Sequence, residues 1–263
     1  MTTDILVPIY GGLTHLRNLM PALEATLAPE HRVIFVDDCT PPEKGSKAIL
    51  EFLGQAVDRH PTWLAVRSDA NRGFSASNNL GSQKGDGEFI CLLNSDTVPQ
   101  AGWLEAMLLV MDTYPQIGAV GAKLLFPPWS NDPVRPAGTI QHAGVVFNAM
   151  RMPYHIFAGW PADHPKVNRH LFMQACTGAC LLVRRALWEK VGGLDEAFGQ
   201  GNFEDIDLTL KFCGLGYEIA YCPDAVLYHW GSGSENVAMV EKNAMLFSHK
   251  WGDKITSDDW KYY

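Results

Sequence analysis

The chain has 263 residues, 47% of them hydrophobic, with 24 glycines and 16 prolines spread along it, which excludes a disordered or fibrous protein and points to one large α/β domain or two tightly joined halves. A formal charge of −8 argues against general nucleic-acid binding, which needs a basic surface, so a phosphate-bearing ligand would require a dedicated pocket with a metal. Six scattered cysteines without finger-like Cys/His pairs read as reduced core residues, and no apolar run approaches the roughly 18 residues of a membrane span.

MTTDILVPIY enters a strand directly, with no basic or long apolar leader, so the expected compartment is the cytosol, with peripheral contact at the inner face of a membrane left open. From Asp4 to about Asn94, short β-rich runs (DILVPIY, RVIFVDD, WLAVRS, EFICLLN) alternate with helical patterns, the signature of βαβ units and a mostly parallel sheet. Leu16, Leu19, Met20, Leu23 and Leu27 form one helical stripe, Ile49, Leu50, Phe52 and Leu53 a second, and Phe74 to Lys84 a short small-residue helix. Pro99 to Tyr114 reads as a helix with proline near its start.

The second half is more irregular. IGAVGAKLLF and TIQHAGVVF read as strands, separated by a proline-rich loop over 126–136 and followed by an irregular stretch over 148–170. Then come a buried strand ACLLVR, a helix RALWEKVG, a GGLDE turn, a helix from about Glu204 to Cys213, the strand-like YEIAYCPDAVLYH and a tail helix near Val237 to Trp251.

In a parallel sheet, ligands bind beyond the carboxyl ends of the strands, so polar residues there carry functional weight. Four groups qualify: Pro8 to Gly12, with Tyr10; Asp37 and Asp38; Asn71, Arg72 and Gly73; and Asn94, Ser95 and Asp96. Each alone is a normal capping or turn group, but carboxylates from two strand ends beside an arginine together suit a ribose, a diphosphate and a hard divalent cation. Asp96 is the expected metal ligand. His229 ends an apolar strand, where imidazole also suits manganese. GxGxxG and GxxxxGK[ST] are both absent, which disfavours a Rossmann dinucleotide site and a P-loop. In GQGNFEDIDLTLKF, Glu204 and Asp205 follow a glycine-rich loop and suit a general base presented into a cleft, whereas Asp207 is expected toward solvent or the helix cap and Asp195 at a turn.

VPIYGG, VDDCTPP, NRGFSASNN, LLNSDTVP, TGACLLVRRALWEKVGGLDEAF, FEDIDLTLKF and YHWGS, in this order from about residue 4 to 251, resemble family 2 glycosyltransferases of the GT-A fold. The resemblance implies one domain over 1–263, with 1–98 as the nucleotide-binding half and 99–263 as the acceptor side and C-terminal helix. It implies Asp37 and Asp38 at the base and ribose of a UDP- or dTDP-linked sugar donor, with Asn71 and Arg72 beside the nucleotide or its phosphates. Asn94-Ser95-Asp96 falls on the family's DxD position as an NxD variant, as in rhamnosyltransferase-like members, with Asp96 on a Mn2+ or Mg2+ ion and His229 completing the metal or diphosphate site. Asp205 is implied as the base and Glu204 as its orienting neighbour, in an inverting displacement onto a glycan, lipid-linked or protein acceptor. His142, Thr177 and Gly178 stand at cleft positions of relatives.

Trp160 and Trp230, near loops, are candidates to stack on a sugar, while Trp103, Trp188 and Trp251 read as core. The 148–170 and 231–235 segments are candidate lids. Two other readings stay open: a sugar-nucleotide nucleotidyltransferase, and a non-catalytic carbohydrate- or nucleotide-binding module.

Overall fold

The computed structural model describes residues 1–130, 132–231 and 237–263. Its first half is a parallel sheet of β1 (Thr3–Ile9), β2 (Arg32–Asp37), β3 (Leu64–Arg67) and β4 (Phe89–Leu93), in the order β3-β2-β1-β4. Alternation of side chains across the pleat divides the core into two layers. Ile5, Val7, Val33 and Phe35 pack with Leu16, Leu19 and Leu23 of α1 (Leu13–Thr26) and with Ile49 and Leu53 of α2 (Ser46–Arg59). Leu6, Ile34 and Val36 face the other way, where α3 (Phe74–Ser82) lies on β1 and β2.

The sheet continues into the second half with mixed polarity. β6 (Ile117–Leu125), β11 (Cys180–Arg184) and β12 (Glu218–His229) extend it in the order β12-β6-β11-β4. β11 runs antiparallel to both β4 and β6, whereas β12 and β6 are parallel to each other. α4 (Trp103–Thr113) packs beneath β6 and β12, and α5 (Arg185–Val191) and α6 (Glu204–Gly214) cover the opposite face. α7 (Val237–Trp251) closes a separate apolar cluster through Phe247.

Three element readings change. Pro99 starts no helix: it ends β5 (Thr97–Pro99), which pairs antiparallel with Leu227–His229, and α4 begins four residues later behind Gly102 at φ 78°. Proline lacks an N–H and so tolerates a helix start and a strand end equally, and the pairing partner is more than a hundred residues away. TIQHAGVVF breaks into β7 (Ile140–His142) and β8 (Val145–Phe147) at Gly144, where φ is +112° and a Cβ would lie 1.7 Å from Met173 Sδ. The stretch after β8 contains β9 (Pro153–His155), paired with β8, and the short edge strand β10 (Leu171–Met173) follows it on β12. The six cysteines are free, and burial pushes the Cys176 thiol up to about 12. Among the described residues no helix is long and apolar enough to cross a membrane.

Candidate functional site

The carboxyl ends of β1, β2 and β4 open into a cleft of two lobes, of about 700 and 440 Å3, a range that accommodates a bound small molecule. Pro8, Tyr10, Asp38, Asn71, Ser95 and Asp96 line the larger lobe. Thr177, Gly178, His155, Glu204 and Asp205 line the smaller one, and Phe74, Asn94, Gln200 and Asn202 belong to both. Asn94 therefore stands at the join between them.

Asp37 and Asp38 are adjacent in sequence but point to opposite sides of the strand end. Asp37 is fully buried, accepts a hydrogen bond from Thr40 N at 3.1 Å and is ion-paired with Arg67, so it does not line the cleft. Asp38 turns inward and accepts from Arg72 N at 3.0 Å and Gly73 N at 2.7 Å, fixing the 71–73 loop against the lobe. The Arg72 guanidinium extends outward to Asp69 at 2.9 Å and stays exposed. Gly73, at φ +88°, touches the backbone of the facing glycine-rich loop: a Cβ there would lie 2.3 Å from Gly199 O and 2.6 Å from Gln200 Cα.

At the end of β4, His229 Nε2 lies 3.1 Å from Asp96 Oδ1 and 3.3 Å from Asn94 Nδ2. Its other ring nitrogen, Nδ1, is 2.5 Å from Gln141 Oε1, while Gln141 Nε2 donates to the His229 carbonyl at 3.1 Å. An amide oxygen only accepts, so Nδ1 carries a proton, and Nε2 faces the Asp96 carboxylate, where a proton or a cation must lie between the two. With Nδ1 held by an outer partner, Nε2 is the ring nitrogen available to a metal. One carboxylate and one imidazole fit a hard divalent ion that also tolerates a nitrogen ligand, such as manganese, with remaining positions left to ligand oxygens. Trp230 N donates to the Asp96 carbonyl at 3.1 Å, tying the end of β12 to this turn. The Trp230 ring packs edge-on against His15 at 5.3 Å, and His15 itself lines the larger lobe.

In the smaller lobe, Asp205 accepts from Gly178 N at 2.7 Å and from Ile206 N at 2.8 Å, so its carboxylate is oriented by the CTGAC turn and by the first turn of α6. Gly178 leaves little room: a Cβ would be 3.2 Å from that of Asp205. Glu204 is buried, and its Oε2 has no hydrogen-bond partner among the described residues. Burial, reinforced by the Asp205 charge, pushes its carboxyl up to about 8. Asn202 and Phe203 before them adopt left-handed φ values of 79° and 75°, a strain on the order of 1 kcal/mol each that the surroundings must hold. Asn243 of α7 does so, donating to Phe198 O and Gly201 O at 2.7 Å each.

Asp207 is not toward solvent. It is fully buried and paired with Lys250 at 2.6 Å and Lys211 at 2.8 Å, with Trp251 Nε1 donating at 2.8 Å. Asp195 caps the turn at Ala197 N, as expected, and shares Lys250 at 2.6 Å. His142 is buried behind the cleft, with Nδ1 3.0 Å from His155 Nδ1. Trp160 packs on Phe157, His164 and Tyr263 within a subsidiary core, not on the cleft. Gln141, His155, His15, Gln200 and Asn202 went unnamed in the sequence, and only Gln141, one residue before His142 in a strand, carried a local signal. Among the described residues, His170, Cys222 and Asp224 have the spacing of a cation site, but they line neither lobe. The 231–235 loop lies, from Ser232 onward, outside the described residues.

Residues 6–245 match the profile described as Glycosyltransferase like family 2. Over 247 residues, 90% of the chain, it is 32% identical to the O-antigen biosynthesis protein RfbC of Myxococcus xanthus, and over 189 residues, 66% of the chain, it is 26% identical to N-acetylglucosaminyl-diphospho-decaprenol L-rhamnosyltransferase of Mycobacterium tuberculosis. It spans 18% of the length of the first and 61% of the second. The fold superposes on GalNAc-T7, solved with UDP, GalNAc and Mn2+, with a TM-score of 0.76 over 97% of this chain and 48% of that one, at 14% identity. With the mixed sheet and two-lobed cleft at its strand ends, these matches make the chain a member of glycosyltransferase-like family 2, built on the GT-A fold.

Proposed function

We propose that this chain transfers a sugar from a nucleoside diphosphate sugar to an acceptor hydroxyl with inversion, assisted by a divalent metal. The observation that carries this reading is the single cleft with the Asp96–His229 pair in one lobe and Asp205 in the other, Asn94 lining both. The larger lobe takes the nucleotide: Tyr10, Asp38 and Asn71 line it, and Asp38 shapes it by holding the 71–73 loop. Asp37 and Arg72 serve indirectly, Asp37 through the Thr40 turn and Arg72 through its backbone N–H on Asp38. Asp96 and His229 would hold the ion, manganese or magnesium, whose charge stabilises the departing diphosphate oxygens.

Asp205 takes the proton from the attacking hydroxyl, on the face of the sugar opposite the leaving group, as a single displacement demands. Its two backbone hydrogen bonds aim it without neutralising it. Glu204, protonated below about pH 8, neither repels the acceptor nor competes for its proton. The division into a nucleotide half over 1–98 and an acceptor half over 99–263 is part of this proposal, as are the dTDP or UDP donor, a glycan or lipid-linked acceptor, and action at the cytoplasmic side.

A screen of nucleotide sugars for metal-dependent hydrolysis tests it without an acceptor. Asp205→Asn should abolish transfer, by a factor on the order of 100 or more, while nucleotide affinity holds. Asp96→Ala should remove the metal dependence of nucleotide binding measured by calorimetry. Near wild-type turnover in Asp205→Asn refutes the base assignment, and nucleotide binding with no turnover of any donor favours a binding module instead.

A further inference from the structure

Behind the smaller lobe lies a histidine pair that no step above uses. His142 on β7 and His155 on β9 face each other Nδ1 to Nδ1 at 3.0 Å, with rings nearly perpendicular and centroids 4.8 Å apart. His142 is completely buried, and its Nε2 has no hydrogen-bond partner among the described residues. His155 lines the lobe beside Asp205 and Glu204 and is exposed to it.

Two nitrogens at 3.0 Å share one proton, so the rings must be in opposite tautomers or one must be charged. Burial holds both imidazoles below their ordinary range, His142 well below it, which disposes of the charged form at neutral pH. Of the two neutral arrangements, one places an N–H on the buried, partnerless His142 Nε2 and the other leaves a bare lone pair there. An orphaned donor is the rarer and more costly of the two in protein interiors. His142 therefore donates from Nδ1, and the proton of His155 sits on Nε2, its only other polar ring atom.

We infer that His142 is a positioning residue that locks His155 as an Nε2–H donor to an acceptor sugar, at a hydroxyl oxygen neighbouring the one that Asp205 deprotonates. The inference rests on the glycosyltransferase reading for its ligand, a vicinal diol of a polyhydroxylated acceptor, but not for its tautomers. The two groups then have complementary tasks. A carboxylate accepts a proton from one hydroxyl and an imidazole N–H donates to the next, so the lobe selects a diol in one orientation.

Nitrogen-15 NMR of the histidine-labelled full chain reads the tautomers directly, with resonances assigned through His142→Asn and His155→Gln. The expected result is Nδ1–H on His142 and Nε2–H on His155; reversed tautomers, or an imidazolium on either at pH 7, overturn it. The functional arm uses a panel of methyl hexopyranosides as acceptor probes, with the donor found by the hydrolysis screen. His155→Ala should lower transfer relative to hydrolysis on the order of tenfold, chiefly through the acceptor KM. His155→Gln, whose amide nitrogen overlies Nε2, and His142→Asn, whose amide nitrogen overlies Nδ1, should stay within about threefold of wild type, while His142→Phe falls with His155→Ala. An unchanged ratio in His155→Ala, or no transfer to any pyranoside by the wild type, refutes the acceptor role. A chain that hydrolyses no nucleotide sugar refutes the function instead, with the tautomer measurement still standing.

Discussion

Glu204 joins the local chemistry to the stability of the fold. Its carboxyl titrates near 4.5 in the unfolded chain and about 8 when buried beside Asp205, so between those values the folded protein keeps a proton that the unfolded chain has released. Stability must then fall as pH rises through this window, by at most about 1.4 kcal/mol per unit, and level off above it. Glu204→Gln should remove that slope and melt higher than the wild type at pH 8, with little difference at pH 5; parallel melting curves across this range would show that Glu204 is ionised in the fold. The FED tripeptide marked the acidic pair, and the family resemblance implied Asp205 as the base beside Glu204, but the raised Glu204 carboxyl was not readable, because the partners that separate the two, Gly178 N for Asp205 and none among the described residues for Glu204 Oε2, come from tertiary packing. Asp37 and Asp38 show the same limit: both are legible as strand-end carboxylates, and only Arg67 and the Thr40 turn reveal which one faces away.

Elements were legible where an apolar pattern ran long: β1, β2 and β4 are near-continuous apolar runs buried on both faces, and the buried residues of α1 and α2 follow the 3.6 period. They were illegible where a distant partner decides: β5 exists because β12 pairs with it, and three-residue β10 lies below any pattern's length. The docking of α7 on α6 was hidden in the same way. Asp207 read as a helix-start carboxylate, yet its cations include Lys250, 43 residues on, which burial alone would deprotonate more easily but which Asp195 and Asp207 hold above its ordinary range. Lys250→Met should leave Asp207 with Lys211 and the Trp251 N–H inside the protein, destabilising it by about 2 kcal/mol in urea unfolding. Because α7 also supplies Asn243 to the strained 198–203 loop, the same variant should loosen the Asp205 lobe, seen as faster amide exchange at Phe203 and Glu204. A variant as stable as wild type would show the pair to be dispensable.

For the molecule as a whole, the mostly parallel first half was readable in the alternation of runs and the family in the seven ordered motifs, whereas the antiparallel insertion of β11 between β4 and β6, which joins the second half to the same sheet, was not, since an apolar strand carries no mark of direction. Ligands that bind only the folded state stabilise it by mass action. UDP with Mn2+ at about a hundred times its dissociation constant should therefore add about 2.7 kcal/mol, and EDTA or Asp96→Ala should remove most of the shift in melting temperature. An equal shift with and without metal would place the diphosphate away from Asp96 and His229. The contact between Gly73 and Gly199 bears on how such a protein diversifies. Main chain against main chain has no rotamers to vary, so the distance between the 71–73 and 199–200 loops works as a fixed gauge beside the larger lobe, and side chains along the cleft walls can be exchanged without resetting it.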